Sequence, residues 1–208
     1  MIALALSLAL VAGQDDAPTA DGNAEYPARA VLEAFATACS GAENLAVAKA
    51  SVEAAGWTMV PPDSDSPITR LVAFGKAEFE RQAAEDGDEL ESELLDGGEY
   101  RTEVAGRTLY VAISGARYDT VIGHGCRVYD FEATAPIEAE TLTDWAVRAP
   151  SNSQTLDGGL VKHVWNPGLK PGHMGMEVSF VPQDWPLRDQ FPLSGLVIQA
   201  DTVEFLDL

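Results

Sequence analysis

Basic residues are scarce in this chain. Thirteen Lys and Arg face 33 Asp and Glu over 208 residues, a formal net charge of -20. Phosphate recognition needs a Lys/Arg surface, so the deficit argues against nucleic acid and against anionic membrane surfaces. Acidity on this scale leaves room for a cationic protein or small-molecule partner. Long apolar runs are missing too. Beyond the first dozen residues no stretch reaches the about 18 uncharged apolar residues of a spanning helix, which excludes stable membrane insertion of a mature chain. No G-x-S-x-G occurs, which removes the usual serine-hydrolase signal. "DGGE" and "DGGL" lack the flanks of a phosphate-binding loop. No fixed-period repeat and no second linker divide the chain. Cysteine is nearly absent, with Cys39 and Cys126 the only two.

What is present begins at the first residue. "MIALALSLALVAG" has an uncharged apolar run from Ile2 to Ala12 that ends in small residues. It has the length of a signal-peptide core and is too short for a membrane span, although the basic start of such a peptide is missing. Residues 1–13 are therefore expected to be a signal peptide, cleaved after Gly13 or Ala12. Residues 14–26, small, polar and acidic, read as a flexible leader. The remainder, 27–208, reads as a single α+β domain, within a chain whose 46% apolar content is that of a globular protein.

Export gives the cysteines their meaning. In an oxidising compartment a small even count reads first as a disulfide. Cys39 ends the stripe Ala28, Val31, Leu32, Phe35, one face of a helix. Cys126 alternates with Val128 on one face of a strand. Both sulfurs are thus expected to face the core and to form one helix-to-sheet disulfide, Cys39 to Cys126. The competing reading is a catalytic thiol with His124 as its base, but no protease-type signature surrounds Cys126.

Two helices should form a hairpin. The first ends near Cys39; "SGAE" matches a capping box for the second, with Ser40 as cap and Glu43 reaching back, and Gly56 stops it. "GWTMV" is a short strand, and a third helix runs through Ile68, Leu71, Val72, Phe79 and Ala83, weakened by Gly75. Breaks are expected near Gly87 and at Gly97-Gly98. From Tyr100 the period becomes two, with a hairpin turn at Ala105-Gly106. "CRVYDF", "LVKHVW", "MEVSFV" and "LVIQAD" are further strands, and "ETLTDWAVRA" is a helix carrying Leu142, Trp145, Ala146 and Ala149. The fold class is α+β: a helical hairpin and one or two further helices on a mainly antiparallel sheet.

Several residue groups could carry chemistry. His173, Met174 and Met176 are ligand types for Cu(I), with His163 ten residues earlier. Alternation with Val178 and Phe180 instead makes both methionines part of a core face. His124, His163 and His173 lack the spacing of a zinc motif. The acids between Glu85 and Asp96 lack EF-hand order and read as a solvated face. Trp57, Trp145, Trp165 and Trp185, singly placed, read as core edges. No catalytic residue, cofactor or metal site is assigned on these grounds.

The order of a leader, a helix ending in Cys39, "VEAAGWTMV", "GRTLYVAI" and "GCRVYDF" resembles a family of small exported, mostly alphaproteobacterial proteins with no assigned activity. The resemblance covers roughly residues 27–150; it implies a disulfide and an α+β fold and transfers no catalytic residue. The expected function is that of a periplasmic or secreted, non-catalytic binding or interaction module. The alternative is a periplasmic metal-handling protein or enzyme whose site is assembled from His163, His173, Met174 and Met176.

Overall fold

The apolar stripe that ends at Cys39 becomes helix α1 (Ala28–Ala38), in which Val31, Leu32, Phe35 and Ala38 are buried. The computed structural model describes residues 26–86, 92–188 and 190–206. The expected signal peptide, the leader as far as Glu25 and the break expected near Gly87 lie outside these residues. A short 3-10 turn, Cys39–Gly41, carries α1 onward, and α2 (Leu45–Ala54) follows. The expected capping box does not form. Ser40 sits inside the 3-10 turn, where the backbone is already helical. Asn44, with extended φ/ψ of -152° and 135°, is the cap instead, and its side chain accepts from Ala46 N at 2.9 Å.

Strand β1 (Thr58–Met59) and helix α3 (Pro67–Asp86) come next. Ser66 Oγ accepts from Thr69 N and fixes the start of α3. The helix runs through Gly75 without interruption. The long strands β2 (Ser92–Val104), β3 (Arg107–Tyr118) and β4 (Val121–Asp130) form a meander. Helix α4 (Ala139–Ala146) stops three residues short of Ala149 because Val147 turns left-handed, at φ 53°. Strands β5 (Asn152–Thr155), β6 (Val161–Trp165), β7 (His173–Val181) and β8 (Gly195–Phe205) complete the sheet. Its order is β1-β2-β3-β4-β8-β7-β6-β5, with every described pair antiparallel. The protein is α+β, as its sequence periods imply.

Two features depart from the expected strands. The chain does not break at Gly97-Gly98; β2 starts eight residues before Tyr100 and crosses both glycines through a bulge. Leu95 pairs with Gly115 and Gly98 with Ile113, so β2 holds one extra residue there. Gly97 is required at the bulge, because a Cβ on it would lie 2.1 Å from Ile113 O. The bulge also hides the strand from a period-two reading, since it swaps the faces of the residues before it. Strand β5, polar and exposed throughout, gives no alternation at all.

The sheet has a helix layer on each face. On one face α1, α2 and α4 cover Leu109, Val111, Val128, Ile198 and Trp165. Here Cys39 and Cys126 are bonded, with Cα atoms 5.6 Å apart across 87 residues of sequence. The bond joins the helical hairpin to β4, near the middle of the sheet. On the other face α3 packs through Ile68 onto Ala112, Tyr129 and Val197. Among the described residues no helix is long and apolar enough to cross a membrane.

Candidate ligand cleft

Helix α3 is amphipathic but poorly buried. Ile68 is fully enclosed, whereas Leu71, Val72, Phe74 and Phe79 are only partly covered. Two aromatic contacts hold the helix over the sheet. Phe74 meets Phe191 of the β7–β8 loop edge-on at 5.9 Å, and Phe79 meets Tyr118 of β3 at 5.9 Å. A cleft of about 820 Å³ lies between α3 and the sheet and extends past β2 to Lys49 and Glu53 of α2. That volume lies within the range of small-molecule sites, about 300–1,000 Å³.

Strand register composes the cleft floor. Glu99, Ala112, Arg127, Gln199 and Glu177 stand in one row across β2, β3, β4, β8 and β7. The small Ala112 leaves the room between Glu99 and Arg127. Arg127 is held on three sides: Nη1 donates to Ser114 Oγ at 2.9 Å, Nη2 to Asp201 Oδ1 at 2.9 Å, and Nε to Gln199 Oε1 at 3.3 Å. Its guanidinium lies over Gly125, where a Cβ would come within 2.3 Å of Nη1. Beyond it a shallower trough of about 290 Å³ runs over Ala116, Gly123 and Gly125 to Asp201 and Val203. The two hollows share Leu94, Ser114, Gly115 and Arg127.

Glu99 has no comparable support. Its backbone O accepts from Val60 N, which ties β1 to the cleft wall. Its carboxyl faces the cleft, and among the described residues nothing hydrogen-bonds to it. Burial raises its pKa above the usual glutamate value, and Lys76 on α3 opposes that rise.

The residues singled out in the sequence lie elsewhere. His163 of β6 is buried beside Trp165 and bonds Ser153 Oγ through Nδ1 at 2.8 Å; burial lowers its pKa. His173 begins β7, its pKa lowered by burial and by Lys170. The two are separated along the sheet: His163 pairs with Val178, five residues beyond His173, or about 15 Å of strand. The methionines do not share a face, contrary to the expected alternation. One extra residue is accommodated between His173 and Gly175, so Met174 is pushed out and is 58% exposed while Met176 stays in the core at 3%. His124 of β4 is buried behind the sheet from the cleft, with Nε2 3.4 Å from Glu204 Oε2 and Nδ1 unpartnered among the described residues. Cys126 is in the disulfide and offers no thiol. Among the described residues no three His, Cys, Asp or Glu side chains gather as a metal site.

Trp57, Trp145 and Trp165 belong to the core under α1 and α4, and Trp185 packs on Phe191 in the β7–β8 loop, so the tryptophans do not converge. The cleft residues Glu99, Ala112 and Arg127 gave no motif. Arg127, a charged residue inside the apolar run "CRVYDF", was the one visible hint. Searches of protein-family models, curated proteins and solved structures find no match to this chain.

Proposed function

We propose that this chain is an exported binding protein that holds a small, largely apolar molecule between α3 and the sheet without transforming it. The observation that carries the reading is the 820 Å³ cleft beneath a helix whose inward side chains are only partly buried. A ligand there would remove Leu71, Val72, Phe79 and Leu94 from water, each worth on the order of 1 kcal/mol or more. The polar groups of the floor favour holding over chemistry, since Arg127 already has an acceptor on each of its nitrogens. Export is supported by the apolar run Ile2–Ala12 together with the Cys39–Cys126 bond, which an oxidising compartment maintains.

Fluorescence of N-phenylnaphthylamine, a neutral apolar dye, tests the cleft. Titration into the disulfide-bonded chain should give saturable enhancement. Ala112→Phe fills the floor and should weaken the dye at least tenfold with unchanged circular dichroism. No saturable binding, or equal binding by the folded Ala112→Phe variant, would overturn the reading. For export, intact mass of periplasmic material should lack Met1 to about Gly13.

A further inference from the structure

We infer that Glu99 selects the ligand and that the ligand is an amine cation carried on an apolar body. The inference rests on the cleft being the binding site, as proposed above. Three comparisons among the charged groups of the cleft lead to it.

Among the described residues, Glu99 is the partly buried cleft carboxylate whose acceptor sites are unfilled; Asp96, the other without a donor on its carboxylate, is exposed to water. It stands in the floor row beside Ala112, the smallest side chain of that row, so a ligand lying on Ala112 meets the carboxyl directly. Among the described residues it receives no hydrogen bond. A half-buried carboxylate without donors is held in an unfavourable state, as the upward direction of its pKa reflects. An arriving N–H donor with positive charge supplies both the hydrogen bond and the counter-charge.

Two of the three cations that line the cleft, Arg127 and Lys49, are already engaged, which leaves Lys76 at the rim as the one open to an anionic head. Arg127 would have to give up Ser114, Gln199 or Asp201 to receive a carboxylate. Lys49 donates to Asp96 O at 2.6 Å. Lys76 is exposed on α3, at the water-facing rim, and forms no ion pair with Glu99 within 4.0 Å. Glu53, the other carboxylate on the α2 side, already accepts from Tyr100 Oη at 3.4 Å. The field of the whole chain points the same way, because a net charge of -20 attracts cations and repels anions.

Three eight-carbon molecules that differ only at the head separate the possibilities: octylamine, octanol and octanoate, each displacing N-phenylnaphthylamine at neutral pH. Octylamine should displace the dye at about one-tenth the concentration of the other two, the effect of one charge-assisted hydrogen bond. Glu99→Gln should abolish that preference, so that octylamine and octanol displace the dye at the same concentration; Glu99→Asp should keep part of it. Equal displacement by all three heads overturns the inference but leaves the cleft in place. A preference for octanoate lost in Lys76→Met also overturns it and moves the head group to Lys76. A chain that does not bind the dye at all removes the cleft reading, and this inference with it.

Discussion

Arg107 grips Asp130 through two parallel hydrogen bonds, Nε to Oδ2 at 2.9 Å and Nη2 to Oδ1 at 2.7 Å. Asp130 is 1% exposed and also accepts from Tyr26 Oη and Glu132 N, so four donors surround one carboxylate. The cluster pins Tyr26, the last residue of the expected leader, to the end of β4. Asp130→Ala should therefore cost about 3–5 kcal/mol in chemical unfolding, because it leaves the Arg107 guanidinium partly buried without a partner. The double variant Arg107→Met, Asp130→Leu should cost less than Asp130→Ala alone; a larger loss would contradict the account.

The disulfide closes a long loop and should matter accordingly. Replacing Cys39 and Cys126 with Ala should lower unfolding free energy by up to about 4–5 kcal/mol on the chain-entropy model. The denatured, unreduced chain should show no free thiol, and dye binding should survive wherever the double variant stays folded. Two free thiols in protein taken from an oxidising compartment would contradict the bond.

Two glycines should respond in opposite directions. Gly97→Ala drives a methyl into the backbone oxygen of Ile113 and should destabilise by about 3 kcal/mol. Gly75 lies inside α3 with nothing within 4 Å of its added Cβ. Gly75→Ala should stabilise by about 0.5–1 kcal/mol through helix propensity. Thermal unfolding of the pair checks both signs.

Acid should weaken the fold near the histidine range. Burial lowers the pKa of His163 and His173 from the ordinary 6.5, so the folded state binds these protons less well than the unfolded chain. Their contribution is present above 6.5 and is lost as the pH falls through the lowered values. Unfolding midpoints should fall across that window, and His163→Gln should flatten part of the fall. A midpoint independent of pH there would contradict the shift.

Elements that bury one continuous stripe were legible in the sequence. Val31, Leu32, Phe35 and Cys39 give α1, and Leu109, Val111 and Ile113 give β3, because burial repeats at the period of the backbone. The cysteine pairing followed from the count of two and the expectation of an oxidising compartment. What stayed hidden depended on insertion or on pairing order. Met174 left the core by a single bulged residue, and Asn44 took the cap because Ser40 was drawn into the preceding turn. The cleft was invisible for a stronger reason. Glu99 and Arg127 lie 28 positions apart in sequence and come to share the cleft floor only once β3 is known to run between them.

The covalent bond and the floor row of the cleft occupy opposite faces of a single sheet, although the cleft also reaches Lys49 and Glu53 of α2. Side chains of β3 and β4 alternate, so Ile113, Cys126 and Val128 serve one face while Ala112, Ser114 and Arg127 serve the other. Exchanges among the second set leave the covalently tied layer untouched. Such a chain can drift or be retargeted toward a new ligand by rewriting one side of the sheet, with the solvency of the fold underwritten by the other.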